Sequence, residues 1–128
     1  MVTDPISDMV VRLKNADRAR RQVVSFPYSQ LKEKICEILQ KEGFVKSFSK
    51  KGKKIAKTIE VELNSESKKI KGVKRISKPS RRIYFKSSGL RPVKSGYGVL
   101  VISTPKGIMT GKEARKVRTG GEALFEIW

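Results

Sequence analysis

The residues Ser103-Thr104-Pro105-Lys106-Gly107-Ile108-Met109-Thr110 hold the sharpest chemical pattern in the chain. Two adjacent hydroxyls, each donor and acceptor, precede an ammonium and a glycine. Small hydroxyl residues let a backbone approach a nucleotide and bond to base edges, phosphate oxygens or 2′-hydroxyls. An ordinary strand-to-helix turn explains the same residues equally well, because Ser, Thr, Pro and Gly favour turns anyway. Tyr84 stands beside Arg81, Arg82 and Lys86, where an aromatic ring among cations can stack on an unpaired base. Packing in a core is the commoner role for such a tyrosine. Phe85, on the opposite strand face, is the better core candidate. Lys50-Lys51-Gly52-Lys53-Lys54 reads as a basic hairpin tip, normally a solvated turn.

Catalytic chemistry finds little to work with. The chain has no His, which removes the usual base near neutral pH and the commonest metal ligand. Gly96-Tyr97-Gly98 fails as a dinucleotide loop: Val101 occupies the third glycine position, and a strand follows where a helix is required. No Walker-type loop exists, and no carboxylate pair suggests general acid–base work. Cys36 is the only cysteine and lies in an apolar helical stripe, so a small buried residue in a reducing compartment is expected. No cofactor or metal is expected.

The 128 residues carry 30 Lys and Arg against 12 Asp and Glu, a net charge of +18. Such a chain repels itself unless a polyanion neutralises it. No apolar run is long enough to span a bilayer, and the N-terminal residues lack a signal-peptide pattern, so no membrane partner is expected.

The elements that must position these residues follow from period and caps. Asp4-Pro5 opens a helix with Ile6, Met9, Val10 and Leu13 on one stripe. Val23 to Phe26 reads as a short strand stopped by Pro27. Ser29 caps a second helix with Leu31, Ile35, Ile38 and Leu39 on its apolar face, ended by Gly43. Phe44 to Phe48 is a strand. Ile55, Ile59, Val61 and Leu63 share one strand face at period two. The second half reads as strands at Lys74–Ser77, Arg82–Lys86, Gly98–Ile102 and Ala123–Trp128, with an ambiguous turn or short helix at Leu90–Lys94. Thr110 caps a short basic helix that Gly120-Gly121 breaks. The expected fold is α/β (α+β) in two small lobes. Residues 1–64 form an α-β-α-β-β lobe, 65–73 a linker or loop, and 74–128 a mostly β lobe with a short helix.

Several segments together resemble a known family. Asp4-Pro5-Ile6-Ser7-Asp8-Met9 with Arg12 and Asn15-Ala16, Ser29-x-Leu31-Lys32-Glu33-x-Ile35, and Glu42-Gly43-Phe44 match its first half. Arg75-Ile76-Ser77-Lys78-Pro79, Arg82-Ile83-Tyr84, Ser103–Thr110, Glu113-Ala114-Arg115-Lys116 and Gly120-Gly121-Glu122 match its second. In this collinear set the chain resembles bacterial small-subunit ribosomal protein eight. The resemblance implies a non-enzymatic RNA-binding protein that binds the central domain of 16S rRNA and supports subunit assembly beside neighbouring small-subunit proteins. It also implies, as in many bacterial members, repression of translation at an operon mRNA site that mimics the rRNA site. It points to a cytoplasmic ribosome and leaves an organellar one open. The RNA-facing residues it implies are Ser103, Thr104, Lys106, Gly107, Tyr84 and Glu122, with Arg12, Asn15, Lys32 and Arg82. Two positions depart from the family pattern. Pro105 stands where the family usually has Ser, removing a hydroxyl and an N–H, and Ser80 stands where Gly is usual. An architectural DNA-binding protein would share the charge but would dedicate a helix or ribbon to a groove. A small enzyme acting on an anionic substrate would need a polar constellation that the sequence lacks.

Overall fold

The computed structural model describes residues 4–52, 57–64, 70–91 and 98–128. These form mixed helices and antiparallel sheets in two compact units. One is Asp8–Ile70. The other joins the residues up to Ser7 to Lys71–Trp128. The α+β architecture with two lobes is therefore the observed one.

Helix α1 spans Pro5–Arg18. The Ser7 N–H donates to the Asp4 carboxylate at 3.2 Å, the bond an N-cap supplies to an otherwise orphaned donor. Ile6, Met9, Val10 and Leu13 are all buried, as the stripe requires. Helix α2 spans Gln30–Lys41, capped by Ser29, whose hydroxyl accepts from Lys32 N–H. It closes with Gly43 at φ 90°: Gly43 N–H reaches the Gln40 carbonyl and Phe44 N–H the Leu39 carbonyl. That pair of bonds is the Schellman arrangement. Ile35, Ile38 and Leu39 are buried, but Leu31 is exposed, since at this first turn the buried face passes through Lys32 instead.

Strands β1 (Val23–Pro27), β2 (Val45–Lys51) and β3 (Thr58–Leu63) form an antiparallel sheet in the order β1-β3-β2. Alternation on β3 is strict: Ile59, Val61 and Leu63 are buried, while Thr58, Glu60 and Glu62 are half-buried on the other face. Pro27 does not stop β1 but belongs to it, opposite Thr58, which an edge strand tolerates. Strand β2 starts and ends later than its sequence suggests, with a register shift between Val45 and Ser47. Of the Lys50–Lys54 turn, Lys50 and Lys51 end β2 and Gly52 follows at φ 99°, while residues 53 and 54, like Ile55, lie outside the described residues.

In the second unit, β4 (Val73–Arg75), β5 (Tyr84–Phe85), β6 (Val99–Thr104), β7 (Gly107–Thr110) and β8 (Gly121–Ile127) make one sheet. Its order is β4-β8-β6-β7, with β5 also on β8. Val99, Leu100, Val101 and Ile102 are all buried, the continuous apolar run of a strand covered on both faces. Leu100 and Ile102 pack with Leu90, Ala114 and Ala123. A single 3-10 turn occupies Ser87–Gly89; residues 92–94, read as part of a turn or short helix, lie outside the described residues. Helix α3 spans Gly111–Lys116 and is capped by Thr110, whose hydroxyl accepts from Glu113 N–H at 3.1 Å. The stretch read as a linker ends in structure. The Ile70 N–H donates to buried Asp17 at 3.1 Å, and the backbone of Gly72 pairs with that of Trp128.

Asp4 also receives the Arg75 guanidinium, with Nε 3.1 Å from Oδ2 and Nη2 3.2 Å from Oδ1. Arg75 Nη1 donates to the Leu124 carbonyl. Both ends of this largely buried pair are thereby satisfied, which offsets the cost of removing the charges from water.

Candidate nucleic-acid interface

Strand β8 runs between β5 and β6, and its register sets Tyr84 opposite Glu122 and Glu122 opposite Ser103. Direct partners in antiparallel strands share a face, so Tyr84, Glu122 and Ser103 form one row across three strands. Tyr84 is 64% exposed, a ring offered to solvent rather than packed in a core. Phe85, expected in the core, is also exposed. Strand β5 is only two residues long, and among the described residues no strand pairs on its far side. Glu122 holds the Arg82 guanidinium 3.9 Å away.

Two devices seat β5. Ser77 is fully buried; its hydroxyl donates to the Ile83 carbonyl at 3.1 Å and accepts from Ile83 N–H at 2.8 Å. Lys78 and Arg81 exchange both backbone bonds around Pro79-Ser80. Ser80 does not adopt positive φ, so this turn needs no glycine. The second device is Gly120-Gly121, which the sequence suggested only as a helix breaker. A Cβ on Gly120 would collide with the Phe85 carbonyl oxygen, and one on Gly121 with that of Ser103. The glycines let three backbones approach closely, and the signal for this was a Gly pair opening an apolar strand.

The Ser103–Gly107 segment is not a strand-to-helix loop but the end of β6, a two-residue turn and the start of β7, with Thr104 opposite Gly107. Pro105 takes the first turn position, where its fixed φ fits and no ladder N–H is needed. Thr104 is buried, and its hydroxyl closes the turn: it donates to the Gly107 carbonyl at 2.8 Å and accepts from Lys106 N–H at 3.1 Å. Lys106 and Gly107 are exposed at the tip, Gly107 at φ 122°.

With this geometry in view, the sequence model of the family described as Ribosomal protein S8 matches residues 4–128. The chain belongs to the ribosomal protein S8 family. Proteins named small ribosomal subunit protein uS8 are similar over nearly its whole length. That of Mycoplasmopsis agalactiae is 50% identical over 99% of this chain and 98% of its own. That of Dictyoglomus turgidum is 46% identical and that of Kocuria rhizophila 42% identical, over the same shares. This family is one of ribosomal structural proteins rather than enzymes. Among the described residues of this S8 chain, no helix is long and apolar enough to cross a membrane.

Three other expected contact residues lie in the Asp8–Ile70 unit. Arg12 and Asn15 are exposed on α1 and line an open cleft of about 540 Å³ with Ala16, Ala19, Arg21 and β1 residues. Arg12 is held there by Asp8 at 3.1 Å and by the Ser25 carbonyl at 3.1 Å. Lys32, like Thr104, is buried, being only 6% exposed. Its ammonium donates to the Pro27 carbonyl at 3.0 Å and lies 5.9 Å from the Phe26 ring centre. Burial lowers its pKa, against the raising effect of Asp8 and with the lowering effect of Arg12. Sequence alone offers no sign of this, because a lysine at a helix start usually faces solvent.

Proposed function

We propose that this chain is an rRNA-binding constituent of the small ribosomal subunit. Its C-terminal lobe, residues 74–128, binds an irregular helix in the central domain of 16S rRNA, beside neighbouring small-subunit proteins, in the cytoplasmic ribosome. The observation that carries this reading is the row Tyr84–Glu122–Ser103 flanked by the Lys106 tip: an exposed ring, an acceptor and a small hydroxyl on one face. Tyr84 stacks on an unpaired base, Ser103 and Glu122 bond to base or 2′-hydroxyl groups, and Lys106, Arg82, Arg12 and Asn15 meet the backbone. The hydroxyl of Thr104 shapes the tip more than it touches RNA. An operon mRNA that mimics the rRNA site would bind the same face, giving translational repression.

The test is filter binding at fixed salt. The ligands are a transcript of the 16S central domain from Mycoplasmopsis agalactiae and a scrambled RNA of equal composition. Ser103→Ala should weaken the specific RNA by roughly 1–3 kcal/mol while hardly changing the scrambled one. Tyr84→Phe should be tolerated better than Tyr84→Ala. Equal binding of both RNAs by wild type and Ser103→Ala would remove the site from the reading. A preference for duplex DNA over the structured RNA would favour an architectural DNA-binding protein.

A further inference from the structure

All three described helices end in the same way. In each, the second residue past the last turn sends its N–H back to the carbonyl that begins the final turn: Arg21 to Ala16, Phe44 to Leu39 and Thr119 to Ala114. The residue before it must be left-handed. In α2 that residue is Gly43, which adopts such a φ without steric cost. In α1 it is Arg20 and in α3 Arg118, both at φ 57°. They are the only non-glycine residues at positive φ among those described. A left-handed conformation crowds Cβ against the carbonyl, so a glycine would serve the backbone better at either position.

Two structural explanations are weak. A cation near a helix C-terminus does favour the macrodipole, but Arg18 already serves α1, and Arg115 and Lys116 serve α3. Nor does either guanidinium hold the fold together. Both side chains are exposed, and neither has an ion-pair partner among the described residues. Strain retained where the fold gains nothing points to function. Arg118 lies four residues before Glu122 in the row described above, and Arg20 adjoins Arg21 at the α1 cleft.

We propose that Arg20 and Arg118 each bind an RNA phosphate, and that the unfavourable backbone persists at both because a guanidinium is required at that point. This inference rests on the rRNA reading above. The planar fork of Arg suits a phosphate bidentately. The helix end fixes the Cα rigidly, so less freedom is lost when the contact forms.

The experiment pairs urea unfolding with binding to the central-domain transcript across a salt series, for wild type, Arg20→Gly, Arg118→Gly and the two Lys variants. Each Gly variant should unfold at the same or a higher urea concentration than wild type. Each should nevertheless bind the transcript roughly 3- to 10-fold more weakly, with a log–log salt slope shallower by about 0.9. The Lys variants should keep most of that slope. Gly variants that lose stability but bind as wild type does would show the arginines to be structural and overturn the proposal. Retained RNA binding with lost binding to poly-glutamate would also overturn it, in favour of an acidic protein partner. A wild type that fails to bind the transcript removes the rRNA reading and this inference together. A wild type that binds, matched by both Gly variants, removes the inference alone.

Discussion

The two units differ in how far each pairs its own charge. Asp8–Ile70 carries 16 Lys and Arg against 8 Asp and Glu, and among the described residues at least five of those acids hold a cation. Glu62 holds Lys46 at 3.5 Å and Glu60 holds Lys51 at 3.0 Å on the outer face of β3; Glu33 meets Lys50 at 4.0 Å. Lys50 also lies 4.7 Å from the Tyr28 ring centre. The other unit carries 14 Lys and Arg against 4 Asp and Glu. Asp4 caps α1 and holds Arg75, Glu122 holds Arg82, and the Glu113 carboxylate accepts from the hydroxyl of Thr110, which caps α3. Lys86, Lys106, Lys112, Arg115 and Lys116 have no ion-pair partner among the described residues. Among the described residues the first unit thus pairs more of its cations internally, and the second leaves most of its surface charge for a polyanion.

The same contrast appears in what each unit tolerates. The second unit depends on backbones packed against each other through glycine. Gly121→Ala should destabilise the protein by about 3 kcal/mol, because the new Cβ meets the Ser103 backbone rather than a side chain that can move. Gly89→Ala has open space around its Cβ and should be near neutral. Urea unfolding of the two variants measures the difference. Equal midpoints would show that the sheet relaxes and that the close approach is not a constraint.

The first unit depends on an ordinary side-chain core, and Cys36 probes it. The thiol is fully buried, and burial, aided by Glu33 and Glu37, pushes its pKa up from 9.0 to about 12. The folded state then keeps a proton that the unfolded chain releases. Stability from this group is fully present below pH 9 and falls as pH rises from 9 towards 12, by up to about 1.4 kcal/mol per pH unit. Cys36→Ala should flatten that part of the stability–pH curve, measured by urea unfolding in alkaline buffers. An unchanged curve would mean that the thiol ionises in the fold as it does in the unfolded chain.

The smallest effect bears most directly on charge. Lys106→Ala should make the salt dependence of RNA binding shallower by about 0.9, the loss of one phosphate contact. Lys51→Ala should change it less, because Glu60 already neutralises that ammonium. Equal changes would erase the distinction between the units. Neither substitution should shift stability by more than about 0.5 kcal/mol.

Much of the fold is legible in the sequence, and for local reasons. Asp4 and Ser29 cap helices because their side chains reach donors three residues on, and Gly43 ends α2 because it alone turns left-handed freely. The alternation of Ile59, Val61 and Leu63 and the run from Val99 to Ile102 state how many faces of β3 and β6 are covered. Expectations that failed did so where exposure depends on distant partners. Leu31 and Phe85 are apolar and were expected inside, yet both are exposed. Lys32 is charged and was expected outside, yet the carbonyl of Pro27 receives its ammonium indoors.

What the sequence by itself determined is therefore the inventory: a polyanion-binding surplus of cations, no imidazole, caps, periods, and a family pattern running from end to end. Tertiary structure decided the arrangement. The Ser103–Thr110 segment is a hairpin because β7 finds hydrogen-bond partners on β6, which composition cannot state when Ser, Thr, Pro and Gly suit either kind of turn. Tyr84, Glu122 and Ser103 become neighbours only because β8 pairs with β5 on one side and β6 on the other. Strand register is set by the summed packing of whole faces, since a slip of one residue would turn every buried side chain of β8 to the wrong side. That sum involves residues far apart along the chain, and no local spacing encodes it.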